Sequence, residues 1–116
     1  MPGEAQRVIE QFWRTQDSGD YTRLVELFVE DALIEDPVWG RHEGRKAIRG
    51  FMTTMVKEMG ARRIRFTVDE IFGDDHAVWA RWTMHMDGAD PRGGVGIYKV
   101  ENGLMTYYRD YMDPAE

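Results

Sequence analysis

The sequence predicts one α+β domain in which three N-terminal helices cover a curved antiparallel sheet and enclose an internal pocket. Apolar residues recur at helical spacing through most of the chain before Ala61, whereas from Ala61 onward they follow a period of two. The 116 residues, 42% of them hydrophobic, can fill one core but not two. We therefore expect the helices to lie on one face of a single sheet, in the order α-α-β-α-β-β-β-β.

Three helices are predicted from apolar side chains that recur every three or four residues. The first spans residues 5–17. The second begins after Asp20, a candidate N-cap, and continues to Asp31. The third is the clearest and ends at Gly60, a residue that favours helix termination. Its apolar face consists of Ile48, Phe51, Met52, Met55, Val56 and Met59.

Five strands are predicted. Residues 32–36 form a short strand that ends at Pro37, because proline cannot donate a hydrogen bond to a neighbouring strand. A loop over residues 38–44 leads into the third helix. The remaining strands are expected at residues 62–72, 76–87, 94–100 and 104–112. The turns between them are rich in Gly and Asp, and Asn102-Gly103 strongly favours a hairpin.

Composition excludes several functional classes. The chain has no cysteine, so disulfides, thiolate nucleophiles and cysteine-bound metals are ruled out. With a net charge of −6 and basic residues scattered among carboxylates, we expect no nucleic-acid partner. The three histidines do not cluster at metal-binding spacing, so we expect no metal. No apolar run approaches the roughly 20 residues of a membrane helix, and the first residues do not resemble a leader, so we expect a cytoplasmic protein without membrane association.

Three segments resemble the SnoaL-like branch of the nuclear transport factor 2-like superfamily. They are D-A-L-I-E-D-P at residues 31–37, H-E-G-R-K-A-I at 42–48 and Y-R-D-Y-M-D-P at 108–114. The resemblance covers essentially the whole chain and implies one SnoaL-like domain over residues 1–116, with a cone-shaped fold. That superfamily includes ketosteroid isomerases, polyketide cyclases, limonene epoxide hydrolases and non-catalytic proteins. The resemblance therefore specifies the fold much better than the reaction.

The ketosteroid isomerase pattern matches this chain in part. Asp36 occupies the place of the general base that moves a proton beside a carbonyl group. The tyrosine that binds the oxyanion in that pattern falls on Phe12, and the protonated aspartate beside it falls near Gly96. The resemblance thus implies a base without the paired hydrogen-bond donors.

Two further patterns centre on Asp110. The limonene epoxide hydrolase pattern needs an Asp-Arg-Asp set, of which Asp110 and Arg81 match two members and Thr83 replaces the third. The polyketide cyclase pattern needs a single acid/base carboxylate in an apolar pocket. Asp110 matches it best, with His42 or His85 as a possible helper.

Asp36 and Asp110 also have structural interpretations. An aspartate before proline commonly caps the following loop through backbone N–H groups, as Asp36 could. Asp110 shares a strand face with Tyr108 and Met112, where a carboxylate is costly unless it is paired or used. Arg81 would pair with it if Arg81 faces the pocket. The sequence leaves open which face of that strand does so.

The leading hypothesis is an enzyme without metal or organic cofactor that transfers protons on a small apolar carbonyl or polycyclic substrate. Asp36 and Asp110 would carry the protons, with the pKa of one of them raised by burial. The expected substrate-binding residues are Trp13, Trp39, His42, Arg81 and Tyr108. The alternatives are a non-catalytic ligand-binding or scaffolding domain and an epoxide hydrolase. The resemblance and the aromatic sheet face opposite the pocket also favour a homodimer.

Overall fold

The computed structural model describes residues 3–17 and 21–114. This part of the chain forms a helical layer over a six-stranded sheet, which confirms the predicted α+β class. The helical segments are α1 (Glu4–Asp17), α2 (Tyr21–Leu24), a 3₁₀ turn (Val25–Leu27) and α3 (Arg45–Arg62). The strands are β1 (Phe28–Asp36), β2 (Gly40–Glu43), β3 (Ile64–Gly73), β4 (Ala77–Met86), β5 (Arg92–Glu101) and β6 (Leu104–Met112). The predicted N-cap, Asp20, lies outside the described residues. Within the described ranges, no helix combines the length and apolar character that crossing a membrane requires.

The sheet is mixed, whereas the sequence predicted an antiparallel sheet. Its strand order is β2-β1-β6-β5-β4-β3, and β1 runs parallel to β6 while the other neighbours are antiparallel. Short turns join each of the strands β3, β4, β5 and β6 to the next, and strands joined in this way pair antiparallel. No turn constrains β1 against β6, because α3 and four strands separate them along the chain. In this pair Ile34 lies opposite Tyr108, and Glu35 lies opposite Arg109.

Helix α1 packs its apolar stripe against the inner face of the sheet. Ile9, Phe12 and Trp13 are buried, as their helical spacing predicts. Phe12 makes edge-on ring contacts with Phe28 of β1 and Tyr108 of β6. Burying a large apolar side chain contributes roughly 1.5–3 kcal/mol of stability. The stripe therefore holds α1 on the sheet.

The second helical segment ends earlier than predicted, because the chain after it joins the sheet. Helical structure stops at Leu27, and Phe28 begins β1. Phe28 is fully buried and pairs with Met105 of β6. The Nε–H of Arg45 donates to the carbonyl of Phe28 over 2.9 Å. Pairing with a distant strand thus overrides the local helical spacing.

Two other boundaries also differ from prediction. Residues 40–43, expected in a loop, form β2 and pair with β1. Gly40, with a φ of 83°, allows the tight turn between the two strands. Helix α3 continues through Gly60 and stops only where Arg63 adopts the left-handed conformation. Since glycine costs about 1 kcal/mol relative to alanine inside a helix, it does not force an end there.

Candidate active site

A cavity of about 240 Å³ lies between the helices and the inner face of the sheet. Helices α1 and α3 cover it, strands β3 to β6 form its floor, and the turn after β1 lies at its rim. Most of the lining is apolar and rich in thioethers, contributed by Met55, Met59, Met84, Met86 and Met112. The polar lining residues are Gln16, Asp36, Glu58, Arg62, Arg92, Tyr108 and Asp110. An apolar cavity with a few polar groups is typical of small-molecule sites.

Asp110 is the most perturbed acid of the cavity. The indole N–H of Trp82 donates to its Oδ1 over 3.2 Å, and the Tyr108 hydroxyl donates to its Oδ2 over 2.7 Å. The pKa of Asp110 is raised from the ordinary 3.8 to about 7, mainly by burial and further by the charge of Asp36, while both hydrogen bonds oppose the rise. Asp110 keeps only a limited surface, towards the cavity. Its protonated and ionised forms are thus both populated near neutral pH, which suits proton exchange.

Asp36 lies beside Asp110 because β1 and β6 run parallel. Both aspartates lie two residues beyond the paired Ile34 and Tyr108, and therefore on the same face of neighbouring strands. Such strands are about 4.8 Å apart, so the two carboxyl groups influence each other. The Oδ1 of Asp36 also accepts hydrogen bonds from two backbone N–H groups of the following turn, both at 2.8 Å. The capping role and a position in the cavity lining coexist in this residue.

Two tyrosine hydroxyls lie next to Asp110. Tyr98 and Tyr108 are opposite each other in the β5–β6 pair, with ring centroids 4.7 Å apart. Burial raises the pKa of each tyrosine well above its usual value, and the charge of Asp110 raises it further. Both hydroxyls therefore stay protonated. The Tyr98 hydroxyl and the Nε1–H of Trp13 are buried near each other, yet neither makes a hydrogen bond of good geometry within the described residues.

Two glycines on the inner face of β5 make room for these groups. A Cβ at Gly94 would overlap the ring of Trp82, and a Cβ at Gly96 would overlap the hydroxyl of Tyr98. A Cβ at Gly96 would also come within 2.9 Å of the Asp110 Oδ1. The bare backbone of β5 thus lets the polar atoms converge above it.

Five of the seven site residues predicted from the sequence line this one cavity. They are Trp13, Asp36, Trp39, Tyr108 and Asp110. Trp39 lies at the rim, in the turn after β1, and is partly exposed, whereas Trp13 is almost fully buried under α1. The fold therefore brings residues far apart in sequence to one place. Their catalytic and binding roles stay predictions.

His42 and Arg81 do not line the cavity. The His42 ring stacks on Phe51 with centroids 4.4 Å apart, and its Nε2 donates to the carbonyl of Trp39 over 2.9 Å. Arg81 lies on the outer face of β4 and pairs with Glu70 at 2.7 Å. Val78, Ala80 and Trp82 of β4 are buried on the inner face, so Arg81, which alternates with them, points outward. Arg81 consequently does not bind Asp110, and the Asp-Arg pair of the epoxide hydrolase pattern is not assembled.

Comparison with known proteins identifies the family. The model of the family described as the SnoaL-like domain matches residues 9–108, which is most of the chain. This chain belongs to the SnoaL-like domain family. The resemblance recognised in the sequence is thereby confirmed. A search among curated proteins found no match.

Solved structures share the fold of this SnoaL-like domain. A candidate ketosteroid isomerase from Kribbella flavida superposes with a TM-score of 0.82 at 18% identity, covering 97% of this chain and 80% of that one. A nuclear transport factor 2-like protein of unknown function from Mesorhizobium loti gives 0.81 at 23% identity, covering 96% and 92%. A candidate polyketide cyclase from Sinorhizobium meliloti gives 0.78 at 18% identity, covering 90% and 94%. At these identities the similarity shows the fold and not the reaction.

Sequence reasoning missed several groups in the site of this SnoaL-like domain. It did not single out the Trp82 indole N–H as a partner of Asp110, the buried hydroxyl of Tyr98, or Arg92. The alternation of Gly94 and Gly96 in a strand was an available signal, because glycines inside strands mark a close approach of other groups. Within the described residues, no group of three or more histidine or acidic side chains is arranged to hold a metal ion.

Proposed function

We propose that this SnoaL-like domain is an acid/base enzyme that moves a proton on a small apolar carbonyl compound bound in the cavity. The observation that carries the proposal is Asp110, a largely buried carboxyl group that lines an apolar cavity and has a pKa raised to about 7. A carboxyl group that exchanges protons near neutral pH is what general acid/base catalysis requires. Asp36 is a second carboxyl group in the same lining.

The arrangement supports distinct roles for the two aspartates. Asp36 as a carboxylate would take a proton from the carbon next to the carbonyl group, using Oδ2, because Oδ1 is engaged by the backbone. Protonated Asp110 would donate a hydrogen bond to the carbonyl oxygen as negative charge develops there. The proton on Asp36 would then return to another carbon, which completes an isomerisation. In a substrate with a second carbonyl group, the enolate carbon would instead attack that carbonyl carbon and break its C=O π bond. The resulting alkoxide would take the proton held by Asp36, which completes a cyclisation.

Neighbouring groups support this role of Asp110. The ketosteroid isomerase pattern places its oxyanion donors at positions that are Phe12 and Gly96 here. In this fold Phe12 packs against Tyr108, and the Asp110 carboxyl lies against Gly96. Tyr108 and Asp110 therefore supply, from β6, polar groups in the region where the pattern needs them.

The size of the cavity favours a small substrate. At about 240 Å³ it is below the roughly 300–1,000 Å³ that is usual for sites of drug-sized ligands. A monocyclic or bicyclic compound fits this volume better than a large polycyclic one.

A direct test is the conversion of a β,γ-unsaturated cyclohexenone into its conjugated isomer, followed by ultraviolet absorbance. Exchange of hydrogen for deuterium beside the carbonyl, followed by NMR in heavy water, detects the first proton transfer even when isomerisation is slow. Asp36→Asn and Asp110→Asn should each lower the rate by about 10²–10⁴-fold. Asp90→Asn, in the exposed turn between β4 and β5, is the matched control. Equal rates in the wild type and both site variants would refute the mechanism.

A second candidate function is non-catalytic binding of a small molecule. The capping bonds accepted by Asp36 favour it, because they give this residue a purely structural reason to be present. Ligand binding that is unaffected by Asp36→Asn, with no proton exchange in any ligand, would support this alternative.

We also propose that the outer face of the sheet forms a homodimer contact. Phe72, Trp79 and Ile97 are neighbours across three strands there, and Tyr111 lies nearby on β6; all four are exposed. Exposed apolar clusters of this kind commonly mark protein contacts. Sedimentation equilibrium should give twice the single-chain mass of 13.6 kDa for the wild type and the single-chain mass for Trp79→Lys. A wild-type mass equal to that of one chain would rule the dimer out.

The predicted cytoplasmic location is tested separately, by imaging a tagged chain.

A further inference from the structure

Arg92 lies at the opposite end of the cavity floor from Asp110. It is the first residue of β5 and shares the inner face with Gly94 and Gly96, since residues two apart point the same way. Gly96 is the residue paired with Asp110. Gly96 lies four positions after Arg92 on the extended strand, so their Cα atoms are about 13 Å apart. The floor of the cavity thus has a carboxyl group near one end and a guanidinium group at the other.

The guanidinium of Arg92 is incompletely bonded by the protein. One of its nitrogens, Nη2, donates to the carbonyl of Asp113 over 2.8 Å. Its Nε–H is buried and has no acceptor within the described residues, where no carboxylate forms an ion pair with Arg92. The other arginine of the lining differs, because Arg62 pairs with Glu58 at 3.2 Å. Arg92 is therefore the lining cation that lacks an acidic partner among the described residues.

Guanidinium groups bind carboxylates particularly well. Their planar N–H groups match the two oxygens of a carboxylate, and such charge-assisted hydrogen bonds are stronger than neutral ones. A buried N–H without an acceptor is destabilising, so a ligand that supplies an acceptor would remove this cost. Arg92 belongs to the cavity lining, so a ligand in the cavity lies within reach of its guanidinium group.

We propose that Arg92 anchors the ligand, and that the ligand is a small apolar ring compound with a carboxylate at the end opposite its reacting carbonyl. The carbonyl end of this ligand rests on the proposed function, whereas its carboxylate end rests on Arg92 alone. The thioether and aromatic side chains between the two ends contact the apolar ring. Arg92 then sets which compounds enter, and in which direction they lie.

The test compares naphthoate with naphthamide by isothermal titration calorimetry. The two probes have the same bicyclic ring and nearly the same size, and only naphthoate carries a negative charge. The wild type should bind naphthoate at least about tenfold more tightly than naphthamide, a difference of about 1.4 kcal/mol. Arg92→Gln should lose this preference while its affinity for naphthamide stays the same. Arg92→Lys keeps the charge without the planar N–H pair and should retain only part of the preference.

Arg65→Gln is the matched control, because it also removes one positive charge but lies on the exposed side of β3. It should keep the wild-type preference. Equal binding of both probes by the wild type, an unchanged preference in Arg92→Gln, or no binding of either probe would each overturn the proposal. Binding is measured without turnover, so an inactive enzyme that still prefers naphthoate would refute the proposed reaction and leave the anchor standing.

Discussion

Replacing Asp110 by asparagine should change how the stability of this domain depends on pH. The folded protein holds the pKa of Asp110 at about 7, whereas the ordinary value is 3.8. Between these two values the unfolded chain has released the proton and the folded chain has kept it. Because the folded state then binds more protons, the free energy of unfolding falls as the pH rises. The stabilisation that comes from the proton on Asp110 is complete below a pH of 3.8 and is lost once the pH has passed about 7.

The expected size of this effect follows from the two pKa values. Each pH unit between them lowers the free energy of unfolding by about 1.4 kcal/mol, which amounts to about 4 kcal/mol in total. This total is an upper bound, since Asp110 faces a cavity that can admit water. Asparagine does not titrate, so Asp110→Asn should gain stability relative to the wild type from about pH 4 to about pH 8.

Urea denaturation followed by tryptophan fluorescence provides the measurement. The quantity to plot is the variant's free energy of unfolding minus that of the wild type, at intervals between about pH 4 and about pH 8. Any constant cost of the asparagine amide next to Trp82 and Tyr108 cancels when values at different pH are compared. Asp90→Asn, in an exposed turn, is the matched control, because it also replaces an aspartate but lies on the surface. A flat line for Asp110→Asn would show that burial does not raise the pKa of this group.

Two further substitutions test the surroundings of Asp110. Tyr108→Phe removes a hydrogen bond that lowers the pKa of Asp110, so this pKa should rise above about 7. The pH range over which the free energy of unfolding declines should then extend upward. An unchanged midpoint of that decline would contradict this expectation. Gly96→Ala places a Cβ against the Tyr98 hydroxyl and should lower the free energy of unfolding by about 1–3 kcal/mol. Its control is Gly50→Ala, at an open position on α3, which should raise stability by about 0.5–1 kcal/mol. Equal effects of the two alanines would show that Gly96 is not needed for packing.

Much of the fold could be predicted from local sequence. The stripe containing Ile9, Phe12 and Trp13 is buried as its spacing predicts, and the C-terminal strands occur close to their expected ranges. These predictions are correct because a side chain's position within its own helix or strand depends on nearby residues. Phe28 shows the limit of such reasoning. Its spacing continues that of a helix, yet its pairing with Met105 places it in a strand.

The candidate site was predictable only in part. Asp36 and Asp110 were found through their sequence motifs, whereas the partners of Asp110 were not. Trp82 looks like an ordinary apolar residue of a strand, and nothing local reveals that its N–H reaches a carboxylate 28 positions away. For Arg81, alternation defines two faces but does not say which is inner. The burial of Ala80 and Trp82 on the inner face decides that question.

The sequence by itself determined the class of this protein, an acidic α+β domain without cysteine, and its two most informative aspartates. Local periodicity and short motifs carry that information. The tertiary structure alone decided that β1 runs parallel to β6, which places Asp36 beside Asp110. It also decided that the glycines of β5 lie beneath the polar groups and that Arg92 lies across the cavity from Asp110. These relations depend on contacts between residues far apart in the chain, which form only when the whole core packs.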